Sequence, residues 1–158
     1  MKISFAGIED EPGRVMTVSQ DYVLDDFSMG ERNFVFAEPL HASLTLLQQE
    51  DNILVSGEIR VLLGMKCSRC LEGITHQMDI SFDHYYSKEG SEVEGEEIDI
   101  SAEVMEDIML LIPLQPLCSE DCSGLCQKCG QNLNQEECGC DREVIDPRLV
   151  KLKEYFKD

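Results

Sequence analysis

Two stretches of alternating residues, separated by a short connection that carries two cysteines, constrain this chain more than any other feature. Ile53, Val55, Gly57, Ile59, Val61, Leu63 and Met65 share one parity, and Ser56, Glu58, Arg60 and Lys66 the other, with Leu54 and Leu62 departing from the pattern. Successive side chains of a strand point to opposite faces, so a period of two predicts a half-buried strand. The same period returns in Ile74, His76, Met78, Ile80, Phe82, His84 and Tyr86, set against Thr75, Gln77, Asp79, Ser81 and Asp83. Between the two lies Cys67-Ser68-Arg69-Cys70-Leu71-Glu72-Gly73, short enough to join antiparallel strands and ending in a turn-friendly glycine. A hairpin with a CxxC at its tip is therefore expected. Ala42, Leu44 and Leu46, alternating with Ser43 and Thr45 ahead of Asp51-Asn52, predict a neighbouring strand and its turn.

The remaining segments are less periodic. The first forty residues mix acidic, polar and apolar positions, and Val15, Met16, Val18, Tyr22 and Val23 supply one short strand. From Ser87 to Asp99 the chain is acidic (Glu89, Glu92, Glu94, Glu96, Glu97) and reads as a solvated, mobile loop. Ser101 is placed to cap a helix over 101–112, whose apolar residues Val104, Met105, Ile108, Leu111 and Ile112 follow the 3.6 period. Glu103 suits its N-terminal dipole and Pro113 ends it. Asp146-Pro147 opens a final helix with Leu149, Leu152 and Phe156 on one stripe. The expected architecture is an α+β fold, an antiparallel sheet packed against one or two helices. It divides into a β-rich core over 1–117, a cysteine-rich zinc-binding segment over 118–140, and a terminal helix over 141–158 that packs on the core.

Six of the eight cysteines fall within Cys118–Cys140, as Cys118, Cys122, Cys126, Cys129, Cys138 and Cys140. The first residues, Met1 to Gly13, hold no apolar export segment, so the chain is expected in the cytoplasm or its organellar equivalent. Reducing compartments keep thiols unpaired, which makes metal binding the leading explanation for this many cysteines. Zinc favours four thiolates in a tetrahedron, and Cys126-Gln-Lys-Cys129-Gly130 has the form in which a turn aims both sulfurs at one ion. Cys138-Gly139-Cys140 is a near second pair, its glycine permitting the tight backbone between the two. Eight thiols fill two four-thiolate sites, so Cys67 and Cys70 are candidates to join Cys118 and Cys122. A different arrangement sets Cys122 with Cys126 and Cys129 and leaves other thiols free; one ion or two thus stays open. Reduced structural thiols without metal are the bland alternative, strongest for Cys67 and Cys70, because a single CxxC is a weak signal. Against that alternative, about twenty residues anchored only by Leu125 and Leu133 cannot form a core alone and need a metal to hold a shape.

The formal net charge of −19 repels phosphate backbones and favours basic partners. No stretch approaches a membrane span, and no phosphate loop, nucleophile elbow or carboxylate pair argues for an enzyme or a small-molecule substrate. A CxxC joining two strands also lacks the helix N-terminus that redox dithiols use to lower a thiol pKa. His76 and His84 share the apolar face of their strand and are expected to be partly buried and hydrogen-bonded; no ligand or base role falls to them or to His41.

Cys67-Ser-Arg-Cys70-Leu71-Glu72, Leu111-Ile-Pro-Leu114, Pro116-Leu-Cys118 through Cys140, and Asp146-Pro147-Arg148-Leu149 together resemble the YceD family of large ribosomal RNA subunit accumulation proteins, over roughly Ile53 to Phe156. The resemblance implies a non-catalytic role in accumulation of large-subunit (23S) ribosomal RNA, hence in ribosome biogenesis. Direct RNA contact needs a local basic surface, and in the tail Arg142, Arg148, Lys151, Lys153 and Lys157 are matched by Asp141, Glu143, Asp146, Glu154 and Asp158. The expected partner is therefore a basic ribosomal protein or a large-subunit assembly intermediate. The competing reading is a zinc-dependent redox-sensing chaperone, since CxC and CxxC pairs release zinc on oxidation; a dithiol oxidoreductase is a third class.

Overall fold

The computed structural model of the chain describes residues 1–8 and 12–141. Among these described residues, nine strands and one helix follow in order: β1 (Lys2–Ser4), β2 (Val15–Tyr22), β3 (Phe27–Met29), β4 (Arg32–Phe36), β5 (Leu40–Gln48), β6 (Asn52–Lys66), β7 (Gly73–Ser87), β8 (Val93–Glu94), β9 (Glu97–Asp99) and α1 (Ser101–Leu111). β6 organises them. Along one edge it pairs with β7 from Asn52↔Ser87 to Lys66↔Gly73 without a slip. Its other edge is shared by β5, over His41↔Arg60 to Gln48↔Ile53, and by β4 at Val35↔Gly64 and Phe36↔Leu63. β2 extends β5 and β3 extends β4, all antiparallel.

The alternation read from the sequence becomes the core. Ile53, Val55, Ile59, Val61, Leu63 and Met65 of β6 lie on one face with Met78, Ile80, Phe82 and Tyr86 of β7 and Leu40, Leu44 and Leu46 of β5, all buried. Fully burying one such side chain is worth about 1.5–3 kcal/mol, so this face fixes the register, since a slip of one residue would turn every apolar side chain to solvent. Leu54 and Leu62, which depart from the alternation, are half-buried on the opposite face.

Several expectations are corrected. The acidic segment after β7 is no featureless loop: β8 and β9 form a small sheet with β1, and Ile98 and Ile100 are completely buried. Here only single apolar residues point inward, between exposed glutamates, so no period reveals the strands. Strands β1, β3 and β4 are hidden in the first forty residues for the same reason. Ser101 is the first residue of α1 and does not cap it; Ile100 takes the capping position, and Ser101 donates its amide (3.0 Å) and hydroxyl (2.5 Å) to Asp99 Oδ1. The Ser101 hydroxyl and amide hold the Asp99 carboxyl down at about 2. The helix ends where expected, at Ile112 in an extended conformation (ψ 125), because a residue preceding proline is barred from the helical region. Val104 and Ile108 are buried, and His84 Nε2 lies 3.3 Å from Asp107 Oδ2, tying α1 to β7. Leu111, placed on the apolar stripe by its spacing, is 50% exposed, and His76 is exposed where partial burial was expected.

The described residues thus form a mostly β structure with a single short helix. The terminal helix expected over 141–158 lies outside the described residues, apart from Asp141. No helix among the described residues is long and apolar enough to cross a membrane.

Candidate metal centre

At the tip of the β6–β7 hairpin the chain turns tightly. Cys67 donates its amide to the Glu72 carbonyl (2.8 Å) and Leu71 donates to the Cys67 carbonyl (3.0 Å), which leaves both cysteine side chains on the inside of the turn. The segment after α1 is fastened to this tip. Ser68 donates its amide to the Pro116 carbonyl (2.8 Å), and Arg69 Nη1 donates to the carbonyls of Cys122 (2.9 Å) and Glu120 (3.2 Å). Cys118 and Cys122 are thereby brought over Cys67 and Cys70.

All four sulfurs of this first group lie within 4.8 Å of one another. Cys67 Sγ and Cys122 Sγ are 3.8 Å apart, and Cys70 Sγ and Cys118 Sγ 3.7 Å. A tetrahedron with metal–sulfur bonds of about 2.3 Å has edges of about 3.8 Å. A disulfide would need about 2.05 Å, and all eight cysteines are free thiols. Cys67, Cys70 and Cys122 are buried against Ile74, Leu117 and Leu125, in a cluster separate from the main core.

Cys126, Cys129, Cys138 and Cys140 form the second group, again with all sulfurs within 4.8 Å of one another. Its turn has the same construction: Gly130 donates to the Cys126 carbonyl (2.8 Å), Cys126 donates to the Gln131 carbonyl (2.8 Å), and Leu125 bridges Asn132. Gly130 holds φ 75, the left-handed conformation that glycine adopts at no steric cost. This group is more open, with Cys126 buried, Cys129 exposed and Cys138 and Cys140 between.

The electrostatics of both groups suit a cation. Burial pushes the Cys67 thiol up, but the amides of Cys70, Arg69 and Cys118 outweigh it and bring the thiol down to about 6. At Cys70 the Glu72 amide favours the thiolate, yet burial and the sulfurs of Cys67, Cys118 and Cys122 push it up to about 12. In the second group the amides of Cys129 and Lys128 hold Cys126 at about 6, while the Cys129 sulfur and burial push Cys140 up to about 12. Each group so combines a thiol poised to ionise with one that its neighbours keep protonated, because four thiolates at this spacing repel one another. A divalent ion at the centre removes that repulsion and takes the place of the protons.

The structure therefore brings together Cys67, Cys70, Cys118 and Cys122 in one group and Cys126, Cys129, Cys138 and Cys140 in the other; Cys122 does not join Cys126 and Cys129. Sequence reasoning missed the residues that support the ligands. Arg69 had a visible signal, its place inside the CxxC. Asn134, which donates Nδ2 to Cys122 Sγ at 3.3 Å, had none.

Residues 55–155 match the family model described as large ribosomal RNA subunit accumulation protein YceD. An uncharacterized protein of Mycobacterium tuberculosis is 28% identical over 129 residues, covering 74% of this chain and 62% of the relative. The large ribosomal RNA subunit accumulation protein YCED homolog 1, chloroplastic, of Arabidopsis thaliana is 25% identical over 146 residues, covering 68% of this chain and 46% of its own. The chain spans about three fifths of the length of the mycobacterial relatives. No solved structure matches it. The matched region takes in both halves of the long hairpin from Val55 onward, the helix and all eight cysteines, and the chain belongs to the YceD family.

Proposed function

We propose that this protein is a non-catalytic ribosome biogenesis factor, needed for accumulation of large-subunit 23S ribosomal RNA, that holds two structural zinc ions through its eight thiolates. The family match carries the cellular reading, through the description of the family and the printed name of the Arabidopsis relative. The sulfur spacing and all-thiolate donor sets support zinc, which such sites select. The protein acts in the cytoplasm by binding a basic ribosomal protein or an assembly intermediate. Its net charge of −19 supports this, as does the exposed row Glu89, Glu92, Glu94, Glu96 and Glu97 around the small sheet. Such a surface steers a cationic partner and repels naked RNA.

Depletion of the protein, followed by gradient separation of ribosomal particles, is expected to lower free large subunits and 23S RNA; unchanged levels would sink the cellular reading. A pull-down at low and high salt tests the partner. Recovery of a basic ribosomal protein, lost as salt rises, is expected, whereas recovery of RNA stripped of protein overturns it. One observation favours a second reading, a redox-sensing chaperone: the second thiol group is open, with Cys129 exposed. In that case peroxide takes two electrons from a pair of thiolates, leaves as two hydroxides, and zinc loss comes with a gain in holdase activity. A structural role predicts destabilisation with no new activity.

A further inference from the structure

We infer that the two thiolate sites load as a coupled pair, with Asn134, carried on the loop of the second site, positioning a ligand of the first. This rests on the metal reading above and goes beyond it, because sites of independent stability need share nothing.

The sharing is visible in the hydrogen bonds. Asn134 lies between Cys129 and Cys138, inside the loop that the second site closes. Its Oδ1 accepts the amide of Ser123 at 2.7 Å. An amide N–H only donates, so this contact fixes which end of the Asn134 side chain is oxygen and turns Nδ2 toward Cys122 Sγ, 3.3 Å away. Nδ2 is held in turn by Asn132 Oδ1 at 3.0 Å. A donor aimed at a thiolate lowers its charge density and orients its lone pairs, and such supporting partners typically govern ten- to a hundredfold of metal affinity.

Three further contacts run between the sites. Leu125 donates its amide to the Arg69 carbonyl in the first CxxC (3.1 Å), Leu133 donates to the Gly124 carbonyl (2.9 Å), and Asn132 Nδ2 reaches Glu72 Oε1 at the hairpin tip (3.3 Å). Gly124 permits the approach. It holds φ 74, and a β-carbon there would stand 3.0 Å from the Arg69 carbonyl oxygen. Residues 134–137 are all exposed, and the amides of Asn134, Gln135 and Glu136 turn back only to Asn132, so the loop is held by hydrogen bonds and not by packing. Closure of the second site would constrain the chain on both sides of Asn134, at Cys129 and Cys138, so emptying it loosens the donor to Cys122; with the first site filled, the loop that must close around the second is already fastened. By linkage each ion raises the affinity of the other by the same factor.

The test uses the full chain and two probes, Zn2+ for stoichiometry and Co2+ for its thiolate charge-transfer and ligand-field bands. Wild type is expected to take up two equivalents and to give them up to a chelator in one joint transition. Cys138→Ser, which removes no ligand of the first site, is expected to weaken the ion held there about tenfold, and Cys70→Ser to weaken the second site by a like factor. Asn134→Leu is expected to weaken the first site ten- to a hundredfold and to shift the bands of its Co2+. Should Asn134→Leu fail to fold, Asn134→Asp keeps the acceptor for Ser123, loses the donor to Cys122, and is expected to weaken the first site likewise. Independent release of two ions, with Cys138→Ser and either Asn134 variant leaving the first site at wild-type affinity, overturns the coupling. Fewer than two equivalents in wild type overturns the metal reading, and the coupling with it.

Discussion

Leu71 follows the first CxxC as Gly130 follows the second, and both have left-handed backbones, φ 62 and φ 75. For a residue with a β-carbon this conformation costs about 1–2 kcal/mol, and Leu71, at 58% exposed, recovers little of that by burial. Leu71→Gly is therefore expected to leave stability within about 1 kcal/mol of wild type, the relief of strain offsetting the greater freedom of glycine in the unfolded chain. Gly130→Val, which forces a branched residue into the same geometry, is expected to lower stability by about 2 kcal/mol and to weaken retention of metal. Thermal melts of both variants check the contrast, and equal effects from the two would refute it. The pair also marks how far the ligands were legible. Cys126-x-x-Cys129-Gly130 declares its turn through the glycine, while Leu71 hides the equivalent turn behind an ordinary side chain. Asn134 was illegible for a different reason: its role depends on a fold that carries a loop back over a cysteine twelve residues earlier.

At the scale of the elements, β6 is the strand on which the sheet depends, and at Gly57 it meets β5 too closely to admit a side chain. A β-carbon at Gly57 would lie 2.2 Å from the Ser43 carbonyl oxygen and 2.9 Å from Leu44 Cα, both backbone atoms that cannot step aside as a side chain would. Gly57 pairs with Leu44 on one edge and Phe82 on the other, so separating β5 from β6 there also disturbs the core face. Gly57→Ala is expected to cost about 3 kcal/mol or more, read as a lower midpoint of denaturant unfolding; a change below about 1 kcal/mol would show that the strands yield. Long strands with one buried face announced themselves by period, as did the hairpin joining them. The three-residue strands did not, because β1 and β9 pair across more than ninety residues of sequence and each buries a single side chain, Ile3 and Ile98. Period detection needs several repeats, and tertiary pairing needs none.

At the scale of the whole molecule, the described residues form two bodies of different cohesion, joined at the hairpin tip. The sheet and helix share one continuous core, and the cysteine-rich segment shares with the hairpin tip a small separate cluster around Cys67, Cys70 and Cys122. Removal of metal is therefore expected to loosen one body and spare the other. In hydrogen exchange after chelation, amides of 118–140 should lose protection while those of β5, β6 and β7 keep it; collapse of protection throughout would mean that the sheet depends on the ions. With both sites filled, each tetrahedron of four thiolates around a dication bears two surplus electrons' worth of charge. The formal charge of −19 then deepens to about −23. Filling the sites thus leaves the protein more anionic than the bare chain, so that metal would strengthen the proposed preference for a cationic polypeptide over nucleic acid.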